Sequence, residues 1–150
     1  MLHLTYHGMR VLASLDPARH FVMPFQNSIP FGCAVLEVQP KDTIKYLGLT
    51  HIEYRSKEKG DEKLAEAQRE KMVLSLMKVK ERKALTFKDL PPLIVQKNFM
   101  HNFVHNEHAV DALISCYTTA MFVHAPEHFD DPLASDALEV LLEGWTYRVK

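Results

Sequence analysis

The sequence predicts a single-domain α/β protein, and three segments carry this prediction. Residues 33–38 form a short, mostly apolar run between Gly32 and Pro40, typical of a strand that is covered on both faces. Residues 62–80 and 106–123 instead repeat their apolar side chains at helical spacing. The chain of 150 residues can bury a sizeable core, and no internal repeat or low-complexity tract divides it.

The composition is ordinary for a soluble globular protein, with 47% hydrophobic and 25% charged residues. The net charge of −1 excludes a general attraction to nucleic acid, so such binding needs a local basic patch. Cys33 and Cys116 lie far apart in the sequence, which indicates free thiols in a reducing compartment. Because no apolar run reaches the length of a signal peptide or a membrane span, we expect a cytoplasmic protein without membrane contact.

The first half of the chain alternates short elements with breakers. Residues 2–15 predict a short amphipathic helix, ended by an aspartate–proline pair, and residues 20–31 predict an irregular connection. After the strand at 33–38, a helix over residues 40–47 is expected to end at Gly48. Residues 51–56 are compatible with a short edge strand.

The second half is mainly helical in pattern. Asp61 is placed to cap the helix at 62–80. Arg69 is expected on the charged outer face of this helix, and the alternative is that it points to a site. Residues 85–96 predict a loop, residues 134–142 a short helix, and residues 145–149 a closing strand. The predicted inner stripe of the helix at 62–80 consists of Ala65, Met72, Val73 and Leu76.

The helix at 106–123 carries candidate chemistry at its start. Asn106 can cap the helix, and Glu107 lies where the helix dipole favours an anion. His108 and Asp111 are three residues apart, so they point from one side of the helix and form a plausible half of a metal site. The alternative is a surface helix with a polar first turn.

Glu37 supplies a second candidate ligand. A carboxylate in a buried strand is costly unless it is paired or bound to a cation, and ligands of open α/β sheets bind beyond the carboxyl ends of strands. The alternative is that Glu37 reaches solvent or pairs with a lysine. Two carboxylates and one imidazole, from Glu37, Asp111 and His108, suit Mg²⁺ or Mn²⁺, which support phosphodiester hydrolysis.

A second group of residues is an alternative candidate for metal binding. His101 and His105 are four residues apart, and together with His108 they could bind zinc if their segment is helical. The sequence contains no glycine-rich phosphate loop, no paired Cys-x-x-Cys and no Gly-x-Ser-x-Gly motif.

Four segments in order resemble a known family: VLEVQPKDTIKYLGL, the long helix with Arg69, HAVDALISCYTTA and EGWTYRV. Together they are similar to the C-terminal part of predicted nucleases catalogued as domain of unknown function four-two-nine, in the ribonuclease H-like superfamily. The resemblance covers roughly residues 32–149. The run at 108–113 also resembles the helix motif of Holliday-junction resolvases, in which a histidine or an acid and the following aspartate help to hold a divalent metal.

The resemblance implies a role for each candidate. Glu37 matches the acid of the family's middle strand, Asp111 the carboxylate of its C-terminal helix, and His108 the position one turn earlier. A divalent-metal-dependent nuclease-like protein is therefore expected, with Mg²⁺ or Mn²⁺ as cofactor and nucleic acid as partner. The basic residues expected to hold the nucleic-acid backbone are Lys57, Lys59, Lys78, Lys80, Arg82 and Lys83.

One family feature is absent from the sequence. Such proteins usually open with a strand carrying Gly-x-Asp, whose aspartate bridges the metals, and no such motif occurs here. The resemblance thus implies an N-terminally incomplete ribonuclease H-like domain with a small mixed sheet flanked by helices. An active nuclease, an inactive relative and a non-catalytic interaction module all stay open. Without a neighbouring strand, the edge of 33–38 is expected to be covered by self-association or by the N-terminal segment.

Overall fold

The computed structural model of the chain describes residues 10–55, 61–79, 90–131 and 146–150. These residues belong to two compact units, which are described separately. The first comprises Met1–Glu37 and Pro132–Thr146, and the second comprises Val38–Asp131 and Tyr147–Lys150.

The first unit contains a two-stranded parallel sheet. Strand β1 (His20–Val22) pairs with strand β2 (Cys33–Val35), and Phe21 lies opposite Ala34. Residues 10–14 are helical, in agreement with the prediction for 2–15 as far as the described residues reach. The irregular connection predicted over residues 20–31 is wrong at its start, because β1 occupies that position.

Strand β2 differs from the predicted strand in length and burial. It ends at Val35, three residues before the predicted end at Val38, and Cys33 and Ala34 are exposed. The expectation of a strand covered on both faces is therefore wrong. The neighbour of β2 comes from the N-terminal segment, which is one of the two expected covers for its edge, while self-association stays a prediction.

The described part of the second unit contains four α-helices and a short 3-10 helix, Pro126–His128. Helix α1 (Pro40–Tyr46) has proline in its first turn and is followed by Gly48 at φ +67°, a left-handed conformation that favours glycine. Helices α2 (Glu62–Met77), α3 (Lys97–His105) and α4 (Glu107–His124) follow. The predicted helices at 40–47, 62–80 and 106–123 are thus confirmed with small shifts at their ends. Asp61 occupies the cap position of α2, but its side chain makes no capping hydrogen bond.

The core of the second unit lies between these helices. All four predicted inner residues of α2 are buried, and α4 packs against α1, α2 and α3. The largest fully buried apolar side chains of this unit are Leu49, Met72, Val73, Leu76, Val110, Ile114 and Met121.

The chain end adds two isolated bridges instead of a continuous strand. Tyr147 pairs with Val38 in parallel, and Val149 pairs with Phe129 in antiparallel orientation. The edge strand predicted from residue 51 is wrong over the described residues 51–55, which form an irregular segment. Ile52 and Tyr54 are buried there, and their neighbours are exposed. Burial thus alternates as it does along a strand, although residues 51–55 are not paired with a strand among the described residues.

Helices thus combine with a small parallel sheet, as the predicted α/β class requires. The predicted helix at 134–142 lies outside the described residues. Within the described ranges, no helix is both long enough and apolar enough to span a membrane.

Candidate functional site

Asp111 lies one turn into α4, and the start of this helix is firmly capped. The Asn106 side chain accepts hydrogen bonds from the backbone N–H groups of His108, at 2.9 Å, and Ala109, at 3.4 Å. Two of the free N–H groups at the helix start are thereby satisfied. The cap predicted from the sequence is confirmed, and it fixes the part of the helix that presents Asp111.

The Asp111 carboxylate is held by two neighbours in the segment before α2. The Tyr54 hydroxyl donates to Oδ1 at 2.6 Å, and Arg55 Nη2 donates to Oδ1 at 2.9 Å and to Oδ2 at 2.8 Å. The Asp111 side chain is 22% exposed, whereas that of Arg55 is 59% exposed. The carboxylate is therefore largely withdrawn from water, while its cationic partner stays in contact with it.

Both partners keep their protons at neutral pH. Burial, and next the hydrogen bond to Asp111, raise the pKa of Tyr54 from 10.0 to about 12. The hydrogen bond to Asp111, and next that to Tyr54, raise the pKa of Arg55 above its ordinary value. Because Tyr54 stays a neutral donor and Arg55 stays a cation, the three side chains form a stable hydrogen-bonded group.

Arg69 supports this group from α2. Its side chain is only 3% exposed; Nε donates to the backbone carbonyl of Val104 at 2.5 Å, and Nη1 donates to that of Tyr54 at 3.2 Å. The expected surface position of Arg69 is therefore wrong. Its guanidinium instead ties the segment of Tyr54 and the end of α3 to α2.

An open groove of about 640 Å³ lies beside Asp111. Ile44 and Ile52, which are both buried, contribute to its apolar lining. Its polar lining consists of Gln39, Lys41, Thr50, Glu53, Tyr54, Arg55 and Asp111. Two basic and two acidic side chains thus face the same groove, so a ligand would meet both charges.

A smaller groove of about 300 Å³ is also lined by Glu53 and Arg55. Gln68 contributes to its lining, and Gln68 Oε1 is buried without a donor among the described residues. A buried acceptor without a partner is unusual, and a donor group of a ligand could satisfy it.

The structure distributes the three predicted metal ligands unequally. Asp111 lines the large groove, whereas His108 is exposed on α4 and is not among the residues that line it. Glu37 belongs to the first unit, is exposed, and accepts a hydrogen bond from the Thr146 hydroxyl at 3.2 Å. The exposed Glu37 agrees with the alternative of a solvent-facing carboxylate, and its sharing of a cation with Asp111 stays a prediction.

The described residues include all three predicted metal ligands but only one of the predicted basic residues. Within the described ranges, no group of three or more His, Cys, Asp or Glu side chains is arranged to hold a metal ion. Lys78 is exposed at the end of α2. The other basic residues predicted to contact nucleic acid lie outside the described residues: Lys57, Lys59, Lys80, Arg82 and Lys83.

The predicted pair of His101 and His105 lies on a helix, α3, and on one side of it. Their ring centroids are 4.2 Å apart, and His105 Nδ1 lies 2.8 Å from Glu66 Oε1 of α2. The two imidazoles are thus neighbours on α3, and the Glu66 carboxylate of α2 contacts the ring of His105. Of the histidines in the predicted zinc set, only His108 lies on another helix, α4.

Sequence reasoning missed Tyr54 and Arg55 as neighbours of Asp111. They lie 57 and 56 residues before it, in a segment without regular structure, so no local pattern links them. Arg69 did carry a signal, because it extends the buried stripe of Ala65 and Met72 at helical spacing. Comparison of the chain with protein-family models, with curated proteins and with solved structures finds no match.

Proposed function

We propose that this chain is a nuclease-like protein of the ribonuclease H-like type, which acts on phosphodiester bonds with a divalent cation. The single observation that carries the proposal is the position of Asp111, a carboxylate fixed on a capped helix and lining an open groove. The sequence resemblance, with its segments in family order, assigns the metal-binding carboxylate to the same residue. The groove also offers Lys41 and Arg55 to a phosphodiester anion.

The proposed ligands have the chemistry that such a cation prefers, but the Asp111 carboxylate is already hydrogen-bonded to Arg55. Carboxylate oxygens are the ligands that Mg²⁺ and Mn²⁺ prefer, and His108, three residues before Asp111 on α4, is the proposed further ligand. However, both Asp111 oxygens already accept hydrogen bonds from Arg55. When bound, the cation would supply charge stabilisation and a more acidic water.

Arg55 therefore has to leave Asp111 before a divalent cation can bind well. Its side chain is 59% exposed, so it can rotate away without opening the core. A phosphodiester group in the groove gives the guanidinium another anionic partner, with hydrogen-bonding geometry that arginine favours. We propose that substrate binding and release of Asp111 occur together.

The test is a Mn²⁺ titration followed by calorimetry, with the full chain, Asp111→Asn and Arg55→Gln. We expect the parent to bind, Asp111→Asn to lose binding, and Arg55→Gln to bind more tightly because the competing cation is gone. Lys45→Gln removes an exposed positive charge from α1 that does not line the groove, and serves as the matched control. Equal binding by the parent and Asp111→Asn, or no gain in Arg55→Gln, would overturn the proposal.

The second candidate is a non-catalytic interaction module. The observation that favours it is the hydrogen-bonded group of Tyr54, Arg55 and Asp111, in which the acid is already neutralised and serves the fold. In this case Arg55→Gln and Asp111→Asn lower the thermal midpoint without changing the binding of Mn²⁺. Cleavage of radiolabelled DNA and RNA oligonucleotides in Mn²⁺ then separates the two functions, because the module cleaves neither.

A further inference from the structure

We infer that α3 carries a second cation site, for a borderline-soft divalent ion such as Zn²⁺, formed by His101 and His105 and oriented by Glu66. This site is independent of the groove at Asp111 and of the proposed nuclease function. The two histidines are four residues apart on one side of α3, with ring centroids separated by 4.2 Å. Imidazole nitrogen is a preferred ligand of Zn²⁺, whereas Mg²⁺ prefers oxygen.

Glu66 fixes which nitrogen of His105 can bind the ion. A carboxylate only accepts hydrogen bonds, so the contact of 2.8 Å between Glu66 Oε1 and His105 Nδ1 places the proton on Nδ1. In the neutral ring, Nε2 then carries the free electron pair. A carboxylate that holds the far side of a histidine ring in this way is the usual partner of a metal-binding histidine.

The two helices that provide the site are held together beneath it. Arg69, one turn after Glu66 on α2, donates to the carbonyl of Val104 at the end of α3. Arg69 itself is buried, while the His105 side chain is 47% exposed. The histidine pair therefore stands on a fixed and accessible surface, where water can complete the coordination of the ion.

Two protein ligands define a site of limited affinity. Structural zinc sites use four protein ligands and catalytic sites use three, so this site leaves at least two positions to water or to a further ligand. A site with only two protein ligands also agrees with the finding that no group of three metal-binding side chains occurs among the described residues.

The test is a Zn²⁺ titration of the chelator-treated full chain against a chromophoric competitor. We compare the parent with His101→Asn, His105→Asn and Glu66→Gln, and use His124→Asn, at the exposed end of α4, as the matched control. We expect one Zn²⁺ per chain, loss of this binding in both ligand variants, and a roughly 10- to 100-fold weaker affinity in Glu66→Gln. The control and Asp111→Asn should bind as the parent does.

Substitution with Co²⁺ gives a spectroscopic readout that reports the ligands of the bound ion. Coordination by the two imidazoles should produce visible absorption bands that disappear in His101→Asn and His105→Asn, while circular dichroism stays unchanged. Parent-like Zn²⁺ affinity in either ligand variant, or in Glu66→Gln, would overturn the inference. So would a parent that binds no Zn²⁺ in competition with the chromophore.

Discussion

At the scale of single residues, Arg69 shows how a charge becomes part of the core. Its guanidinium is buried, and it donates to the carbonyls of Val104 and Tyr54, which belong to two different segments. Burial of a cation is costly, but hydrogen bonds to carbonyl oxygens offset much of that cost. Removal of the side chain leaves both carbonyls without this donor, so the effect should exceed that of an ordinary surface change.

We expect Arg69→Met to lower the free energy of unfolding by about 2 to 4 kcal/mol, because one buried and one partly buried acceptor lose their donor. The measurement is urea unfolding followed by circular dichroism. Lys71→Met also replaces a cationic side chain with methionine, but at an exposed position of α2, and should stay within about 0.5 kcal/mol of the parent. Similar losses in both variants would contradict a special role for Arg69.

Tyr54 gives a prediction about alkaline pH. Burial, and next the bond to Asp111, raise its folded-state pKa from 10.0 to about 12. The folded chain thus keeps this proton while the unfolded chain loses it, so the stabilisation is complete below pH 10 and declines as the pH rises towards 12.

The check is the phenolate absorbance of the parent and Tyr54→Phe across this range. The difference between the two titrations should rise near pH 12, well after an ordinary tyrosine. Burial also raises the pKa of Tyr117 and that of Tyr147, and the comparison removes their shared contribution. A difference curve centred near the ordinary value of 10.0 would show that burial and the hydrogen bond to Asp111 do not raise the pKa of Tyr54.

At the scale of elements, local sequence patterns were enough for α1, α2 and α4 but not for α3 or for the strands. Helix α4 shows this, since its cap residue and its spaced apolar residues are all within one stretch of chain. Strand β1 has only three residues, and its partner β2 begins 13 residues after the start of β1, so its existence depends on pairing and not on a local period.

The same distinction between local pattern and long-range contact applies to the residues of the candidate site. Asp111 could be predicted because it lies near the start of a patterned helix, close to a capping residue. Its partners Tyr54 and Arg55 could not, because only the folded chain brings residues 56 or 57 positions apart together. The same holds for Glu66, whose contact with His105 spans 39 positions.

Helix α4 provides the prediction at this scale. Asn106→Ala removes the acceptor for the N–H groups of His108 and Ala109, so it should lower stability by about 1 kcal/mol. Asn102→Ala, at an exposed position inside α3, should be neutral or slightly stabilising because alanine favours helix. Thermal unfolding of both variants is the measurement. Equal midpoints would mean that the cap contributes nothing to α4.

At the scale of the whole molecule, the two compact units hold different candidate residues. The second unit holds Asp111 and the groove, whereas Glu37 belongs to the first. In the first unit, Glu37 follows β2 and is bonded to Thr146. The resemblance to the nuclease family predicts that both carboxylates act on one cation, and in that case their contributions to its affinity depend on each other.

A double-mutant cycle tests this dependence directly. We expect Glu37→Gln and Asp111→Asn each to weaken Mn²⁺ binding, and the double variant to lose less than the sum of the two free-energy changes, because a cation that has lost one ligand loses less with the next. Calorimetry provides the affinities, and Glu62→Gln, an exposed acid in the first turn of α2, is the control. Strictly additive losses would place the two acids at separate sites. Unchanged affinity in Glu37→Gln would remove that residue from the site and leave Asp111 as a groove residue that acts without it.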